Sequence, residues 1–363
     1  MKKILYICDY PYVLYSAIIK SYFESNDEND LLLTNSIDGM EDLLVPLRKS
    51  GIFKNIYFYD DVLFRDMICG ILSYATAEGN PNIFKKMTSY IKGVCLIFKS
   101  QKHSKNIKLP IDLENGGDYD KIYYTDRVST IMFYLNSKNI PYIAMEHAAN
   151  IWNIKSKASI MQIKVFYLLE KLHLSCGIGG YTRACKGVLV HKKTAFLPTP
   201  PCADVIEWNI NSYIQQLTVD QKDSIYNLYC VAYGLELDYG KKYTVLLTNP
   251  LYQDNYLNSA EEQLQCYKKI LIKHGAENTT LLIKAHPRDG VDYRKAFPDA
   301  IIVHPLISSE VLTLSKDLQI ADAITVLSSS IYSFSVKTEK IICLYDAQMN
   351  PVYPGETSLA SYI

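Results

Sequence analysis

The sequence has no surplus of charge of either sign: 38 Lys and Arg stand against 38 Asp and Glu. That balance argues against a protein that binds nucleic acid through bulk positive charge, which would show a basic excess. Paired cysteines are also missing. Cys8, Cys69, Cys95, Cys176, Cys185, Cys202, Cys230, Cys266 and Cys343 include no CxxC spacing, so neither a zinc nor a dithiol redox motif is indicated. Their odd number and apolar settings suit reduced, buried thiols in a cytoplasmic protein. No uninterrupted apolar run is long enough to span a membrane. Internal repeats and low-complexity tracts are absent too. The N-terminal MKKILYICDYPYVLYSAII has the basic start and apolar body of a secretory signal, but Asp9, Pro11 and several tyrosines interrupt it. No small-residue cleavage site follows, so the stretch reads as strand, loop and helix start.

What is present is the composition of a soluble globular protein, with 48% hydrophobic and 21% charged residues. A chain of 363 residues suits two domains. Short apolar runs at Lys3–Cys8, Asp30–Thr34, Asn55–Tyr59, Lys121–Tyr124 and Pro141–Met145 predict strands. Helical patterns at Val13–Phe23, Gly39–Lys49, Ile83–Phe98 and Thr125–Ser137 separate them, and the insert Val62–Leu109 is mostly helical in character. Ser159–Leu174 reads as an apolar helix, either packed or laid on a membrane surface. Three prolines within Leu197–Pro201 mark a domain boundary, which divides the chain into 1–200 and 201–363. Beyond it, Ile206–Leu235 is polar and helical. Strands are then expected at Thr244–Thr248, Thr280–Lys284, Ala300–Val303, Ala323–Val326 and Lys340–Leu344, with helices at Ser259–His274 and Ser309–Leu314. Strands alternating with helices predict α/β domains with parallel sheets.

In open parallel sheets, ligands bind beyond the carboxyl ends of the strands. Four features of the second half fall there. Thr248 and Asn249 follow one strand. Lys284, His286, Pro287, Arg288 and Asp289 follow or end the next. An imidazole on a rigid His-Pro turn can hydrogen-bond a phosphate oxygen or protonate it, with Lys284 and Arg288 adding positive charge. His304-Pro305 is a second such pair without the basic flank, which shows how little the dipeptide says alone. Ser308, Ser309 and Glu310 open a helix, where Glu310 could hold a ribose or complement the helix dipole. Ser328, Ser329 and Ser330 precede another; one serine suffices to cap a helix, and three suit an anion. In the first half, Glu146 and His147 follow a strand and are candidates for a general base. Asp9, Tyr10, Asp126 and Arg127 sit similarly.

This ordered set resembles the bacterial sialyltransferases of the GT-B type, the lipooligosaccharide sialyltransferases (glycosyltransferase family 52) and the capsular polysialyltransferases. Those enzymes carry an acidic motif, then an HP motif, a Ser-x-Glu-type segment and a Ser-Ser motif. The resemblance implies two Rossmann-like domains with parallel sheets facing a central cleft: an acceptor-binding domain with a helical insert, then a CMP-binding domain. It implies an inverting transfer of sialic acid from CMP-sialic acid to a capsule or lipooligosaccharide glycan, without a metal or other cofactor. Glu146 would deprotonate the acceptor hydroxyl, His286 would contact the CMP phosphate and could act as general acid, Glu310 would hold the ribose, and Ser328 and Ser329 would bind phosphate. The family's acidic motif has two acids and a glycine; Glu146-His147-Ala148 departs from it, leaving the base between Glu146 and His147. The same segment resembles the histidine loop of teichoic-acid polymerases, which use CDP-alditols, with His147 as base and His286 on pyrophosphate. Partners implied are a nucleotide-sugar donor, a glycan acceptor that is lipid-linked in one version of this reading, the inner face of the plasma membrane, and a second copy of the chain. A UDP-sugar transferase and a non-catalytic scaffold are the remaining readings.

Overall fold

The computed structural model describes residues 1–61, 102, 104, 106–113, 117–125, 129–146, 182, 184–192, 203–275, 278–346, 349–356 and 358–362. His147, the expected helices Ile83–Phe98 and Ser159–Leu174, most of the insert Val62–Leu109, and Leu197–Pro201 lie outside these residues. The chain forms two compact units, Met1–Gln215 and Gln216–Ile363.

Unit 1 holds seven strands: β1 (Lys3–Cys8), β2 (Glu28–Thr34), β3 (Asn55–Tyr59), β4 (Lys121–Tyr124), β5 (Tyr142–Met145), β6 (Cys185–Val190) and β7 (Asp204–Glu207). They form one sheet in the order β3-β2-β1-β4-β5-β6-β7, and every adjacent pair runs parallel. A strand covered on both faces must be apolar throughout, and in β1 every residue from Ile4 to Cys8 is buried. Helix α1 (Pro11–Phe23) begins with proline, whose missing N–H costs nothing in a first turn. The short helix α2 (Leu44–Ser50) ends at Gly51 in the left-handed conformation. Helix α3 (Thr130–Ser137) starts later than its sequence pattern, because the Ser129 side chain accepts from the Met132 N–H and sets the cap there. The boundary also moves. β7 extends the first sheet past residue 200, and helix α4 (Ile210–Gln216) follows it, so the units divide at 215/216.

Unit 2 opens with α5 (Val219–Tyr233), fixed by a capping box between Thr218 and Gln221 and stopped at Gly234. Its strands are β8 (Lys242–Leu247), β9 (Thr280–Lys284), β10 (Ile301–Val303), β11 (Gln319–Thr325) and β12 (Thr338–Cys343). Their order is β10-β9-β8-β11-β12, again wholly parallel. Helix α6 (Ala260–His274) carries Glu261 and Glu262 in its first turn and Lys273 and His274 in its last, the arrangement a helix dipole favours. Its Cys266, Tyr267 and Ile270 pack with Leu246, Ile283 and Ile324 of the sheet. Burying one such aliphatic side chain contributes about 1.5–3 kcal/mol. The segments expected as helices at Ser309 and Ile331 are 3-10 helices, Ser309–Thr313 and Ser329–Val336. Among the described cysteines, Cys8, Cys185, Cys230 and Cys266 are buried, Cys343 is partly so, and all five are free thiols. Among the described residues no helix is long and apolar enough to cross a membrane.

Candidate functional site

In unit 2 the strand order reverses between β8 and β11, which both neighbour each other and lead outward in opposite directions. At such a switch point the loops diverge and leave room for a ligand. Asn249 spans it. Its Oδ1 accepts from the Thr325 hydroxyl (3.2 Å) and the Leu327 N–H (3.2 Å), and its own N–H donates to the Tyr267 hydroxyl at 2.6 Å. Thr248 and Asn249 are both buried. Ser328 also hangs from this point, its N–H donating to Thr325 Oγ1 at 3.2 Å. No side chain caps the 3-10 helix that Ser329 and Ser330 begin, so the Ser328 hydroxyl does not serve as the cap one serine would supply.

The loop after β9 is built on Asp289. Its carboxylate accepts from Thr248 Oγ1 (2.5 Å), the Tyr293 hydroxyl (2.6 Å), Gln263 Nε2 (3.1 Å to each oxygen) and the Val291 N–H (3.2 Å). Thr248 Oγ1 in turn accepts the His286 N–H at 3.2 Å. The His-Pro turn is thereby locked to the end of β8. The Arg288 N–H donates to His286 Nδ1 at 3.1 Å, so the ring proton of the neutral imidazole belongs on Nε2. Burial lowers the His286 pKa, the Arg288 and Lys284 charges lower it further, and Asp289 and Asp254 pull the other way. Near neutral pH this ring is a neutral Nε2–H donor.

The two cations of the motif are engaged by the protein. Lys284 Nζ is buried and donates to the carbonyls of Ala285 (2.7 Å) and Pro305 (3.1 Å). Burial pushes its pKa down to about 8, against the pull of the Glu310 carboxylate. The Arg288 guanidinium makes a two-pronged pair with Asp254, at 2.9 and 3.2 Å. Pro287 is exposed. Ser309 and Glu310 are buried, and Glu310 Oε2 accepts from the hydroxyls of Ser308 and Ser309. Thr248, Asn249, His286, Ser309, Glu310 and Ser328 thus all belong to the carboxyl edge of one parallel sheet. Among the described residues no group of three His, Cys, Asp or Glu side chains is placed to hold a metal ion.

In unit 1, Glu146 directly follows β5 and is buried. Its Oε2 accepts the His191 N–H at 3.1 Å. It lines a small pocket with Tyr12 and Ser16 of α1, His191 after β6, and Trp208 after β7. Asp9 is buried and engaged inward, accepting from the hydroxyls of Thr125 (2.9 Å) and Tyr124 (3.3 Å). Asp126 and Arg127 lie outside the described residues. The sequence placed Asp289 in the strand-end feature with His286 without giving it a role, and His191 and Trp208 were passed over. The apolar run Gly187–Val190 before His191 was a usable strand signal; the four-residue, mostly exposed edge strand before Trp208 offered none.

No family model matches the chain. A stretch of 107 residues is 33% identical to an uncharacterized protein of Haemophilus influenzae, covering 30% of this chain and 33% of that one; the match spans about a third of that relative's length. Among solved structures, the UDP-GlcNAc 2-epimerase of Methanocaldococcus jannaschii aligns over 94% of this chain and 88% of its own, at 11% identity and a TM-score of 0.45. The UDP-GlcNAc 2-epimerase of Neisseria meningitidis aligns over 94% and 82%, at 12% identity and a TM-score of 0.39. An alpha/beta-galactoside alpha-2,3-sialyltransferase of Photobacterium phosphoreum aligns over 100% and 95%, at 12% identity and a TM-score of 0.34. Likenesses this distant carry no argument about what the chain does.

Proposed function

We propose that this chain is a glycosyltransferase of the two-domain GT-B kind that uses a nucleotide-sugar donor, and that the donor is CMP-sialic acid. The observation that carries the reading is the carboxyl edge of the second sheet. A neutral imidazole Nε2–H, the Ser328 hydroxyl, and the Glu310 carboxylate, held by the Ser308 and Ser309 hydroxyls, occur there around a switch point bridged by Asn249. A nucleoside monophosphate needs hydrogen-bond donors for its phosphate and an acceptor for its ribose hydroxyls, and this set offers both.

In this reading Glu146 accepts the proton of an acceptor hydroxyl. The new bond joins that oxygen to the anomeric carbon, and the bond from this carbon to the CMP phosphate breaks, its electron pair leaving on phosphate. Configuration inverts, and the transfer uses no metal ion. His286 acts as a hydrogen-bond donor that stabilises the leaving phosphate. The part assigned to it is that of a donor and not of a general acid, since burial lowers its pKa and favours the neutral ring. Lys284 is assigned to holding the β9 loop, since two carbonyls and burial already occupy its ammonium.

Calorimetric titration with CMP, CDP and UDP tests the donor, followed by a turnover assay with CMP-sialic acid. Tightest binding of CMP, lost in His286→Ala, is the expected result. A preference for CDP moves the chain to the alditol phosphate transferases, and a preference for UDP removes sialic acid from the reading. No binding to any of the three would end it.

A further inference from the structure

Two residues that line the pocket around Glu146 carry buried polar atoms with no hydrogen-bond partner among the described residues. Trp208 is 9% exposed, and its indole Nε1 is buried without a hydrogen-bond partner. His191 Nδ1 is buried without one as well. Native interiors rarely leave such groups unmet, and two on residues lining one pocket suit a bound water or ligand group there. The two residues line one pocket together with Glu146, Tyr12 and Ser16. Its free space is about that of a single water molecule.

The indole cannot turn away to find another partner. Tyr213 stacks on it with ring centroids 3.7 Å apart, and the Lys20 ammonium lies 4.2 Å from the ring centroid. Its backbone N–H is tied to the Val190 carbonyl at 2.7 Å. His191 is held through its own N–H, which donates to Glu146. Burial lowers the His191 pKa, with Glu207 opposing, so the ring is neutral near neutral pH and one of its nitrogens accepts.

The guest must therefore accept from an indole N–H and offer a proton to an imidazole nitrogen or a carboxylate. A hydroxyl does both. A carboxylate guest would face Glu146, and an ammonium has no lone pair for the indole donor. We propose that this pocket recognises one hydroxyl group of an uncharged sugar, read by Trp208 Nε1–H and His191 Nδ1 beside Glu146. The proposal deepens, and rests on, the reading of Glu146 as the base that faces the acceptor; Trp208 and His191 then help select which hydroxyl is presented.

The chain has two tryptophans, Trp152 and Trp208, so Trp152→Phe leaves one indole N–H resonance in ¹⁵N-labelled protein. This resonance is followed during titration with glycerol, ethylene glycol and lactose. The small polyols are included because a pocket that reads one hydroxyl must admit them at high concentration. The expected result is a saturable shift of the Trp208 signal with all three, weakened several-fold by His191→Phe in a folded protein. A signal that stays still with all three, while showing exchange with one bound water, overturns the proposal and makes the site a structural water pocket. Trp208→Phe keeps the ring and removes the donor, and should raise the acceptor KM while leaving the affinity for CMP unchanged; equal KM values also overturn it. The titration contains no donor nucleotide, so its result is independent of the donor reading. A shift without CMP-sialic acid turnover sinks the donor and leaves the pocket, whereas turnover without a shift sinks the pocket alone.

Discussion

The chain builds the same His-Pro turn twice, on adjacent strands, and surrounds the two rings differently. After β9, Arg288 N–H donates to His286 Nδ1 at 3.1 Å and Asp289 N–H to the His286 carbonyl at 2.8 Å. After β10, Leu306 N–H donates to His304 Nδ1 at 3.3 Å and Ile307 N–H to the His304 carbonyl at 3.0 Å. Proline at the second position presets the backbone in both. Both rings are thus set with the proton on Nε2 when neutral. The His304 ring lies flat on Tyr233, with centroids 4.3 Å apart and an interplanar angle of 7°. The His286 ring instead sits among Lys284, Arg288, Asp289 and Asp254. β9 borders the switch strand β8, and β10 is the edge of the sheet. The dipeptide makes a turn; the strand it ends on decides what the turn is for.

The largest expected effect separates the two rings by activity. His286→Ala should cost on the order of 10²–10³ in turnover, the loss expected when one preorganised donor to a developing negative charge is removed. His304→Ala should leave kcat/KM within a few-fold and instead lower stability by about 1 kcal/mol, the worth of its stack on Tyr233. Steady-state kinetics and thermal unfolding on both variants check the pair. If His304→Ala abolishes turnover while the protein stays folded, the comparison breaks.

Asp289 has no counterpart in the second turn, where Ile307 holds the equivalent place. Its removal leaves Thr248 Oγ1, the Tyr293 hydroxyl and buried Gln263 Nε2 without their common acceptor. Asp289→Ala should therefore destabilise unit 2 by roughly 2–4 kcal/mol, since each buried donor left unpaired costs about 1–3 kcal/mol. Denaturant unfolding reads this directly.

The second sheet and five strands of the first were legible in the sequence because buried parallel strands are continuous apolar runs, whereas β6 was passed over although Gly187–Val190 is buried and apolar. β1, β3 and β9 occur at the residues their patterns indicated. β7 was not legible: Asp204–Glu207 is short, lies at an edge and is mostly exposed, so it carries no apolar signature. The site residues were visible one by one as strand-end polar groups, yet their commitments were not. That Lys284 faces two carbonyls and Arg288 faces Asp254 depends on loops converging from different strands, which no local pattern encodes. Asp289 was in plain view beside His286, but only folding brings it to Thr248 and Gln263.

Acid should blur the contrast between the two turns. His191, His274 and His286 all have pKa values lowered from 6.5 by burial first of all. The unfolded chain then binds protons that the folded chain refuses, so stability is full above pH 6.5 and falls as the pH drops from there toward the folded values. A melting series across this range should show the loss. In His286→Gln it should be smaller, by the share this ring contributes.

The smallest effect concerns the exposed arm of the first turn. The Arg288 and Asp254 side chains are 63% and 33% exposed, and a pair so open to water contributes about 0–1 kcal/mol. Asp254→Asn should hardly change the melting temperature. It does change the charge facing the site: the carboxylate that now holds the guanidinium is gone, and Arg288 is left to seek another anion. If a donor phosphate binds beside His286, the variant should hold CMP more tightly, and added salt should erase the gain. Weaker CMP binding in Asp254→Asn would mean that the ion pair positions the turn itself, and that the charge around His286 is there to shape the loop and not to meet a ligand.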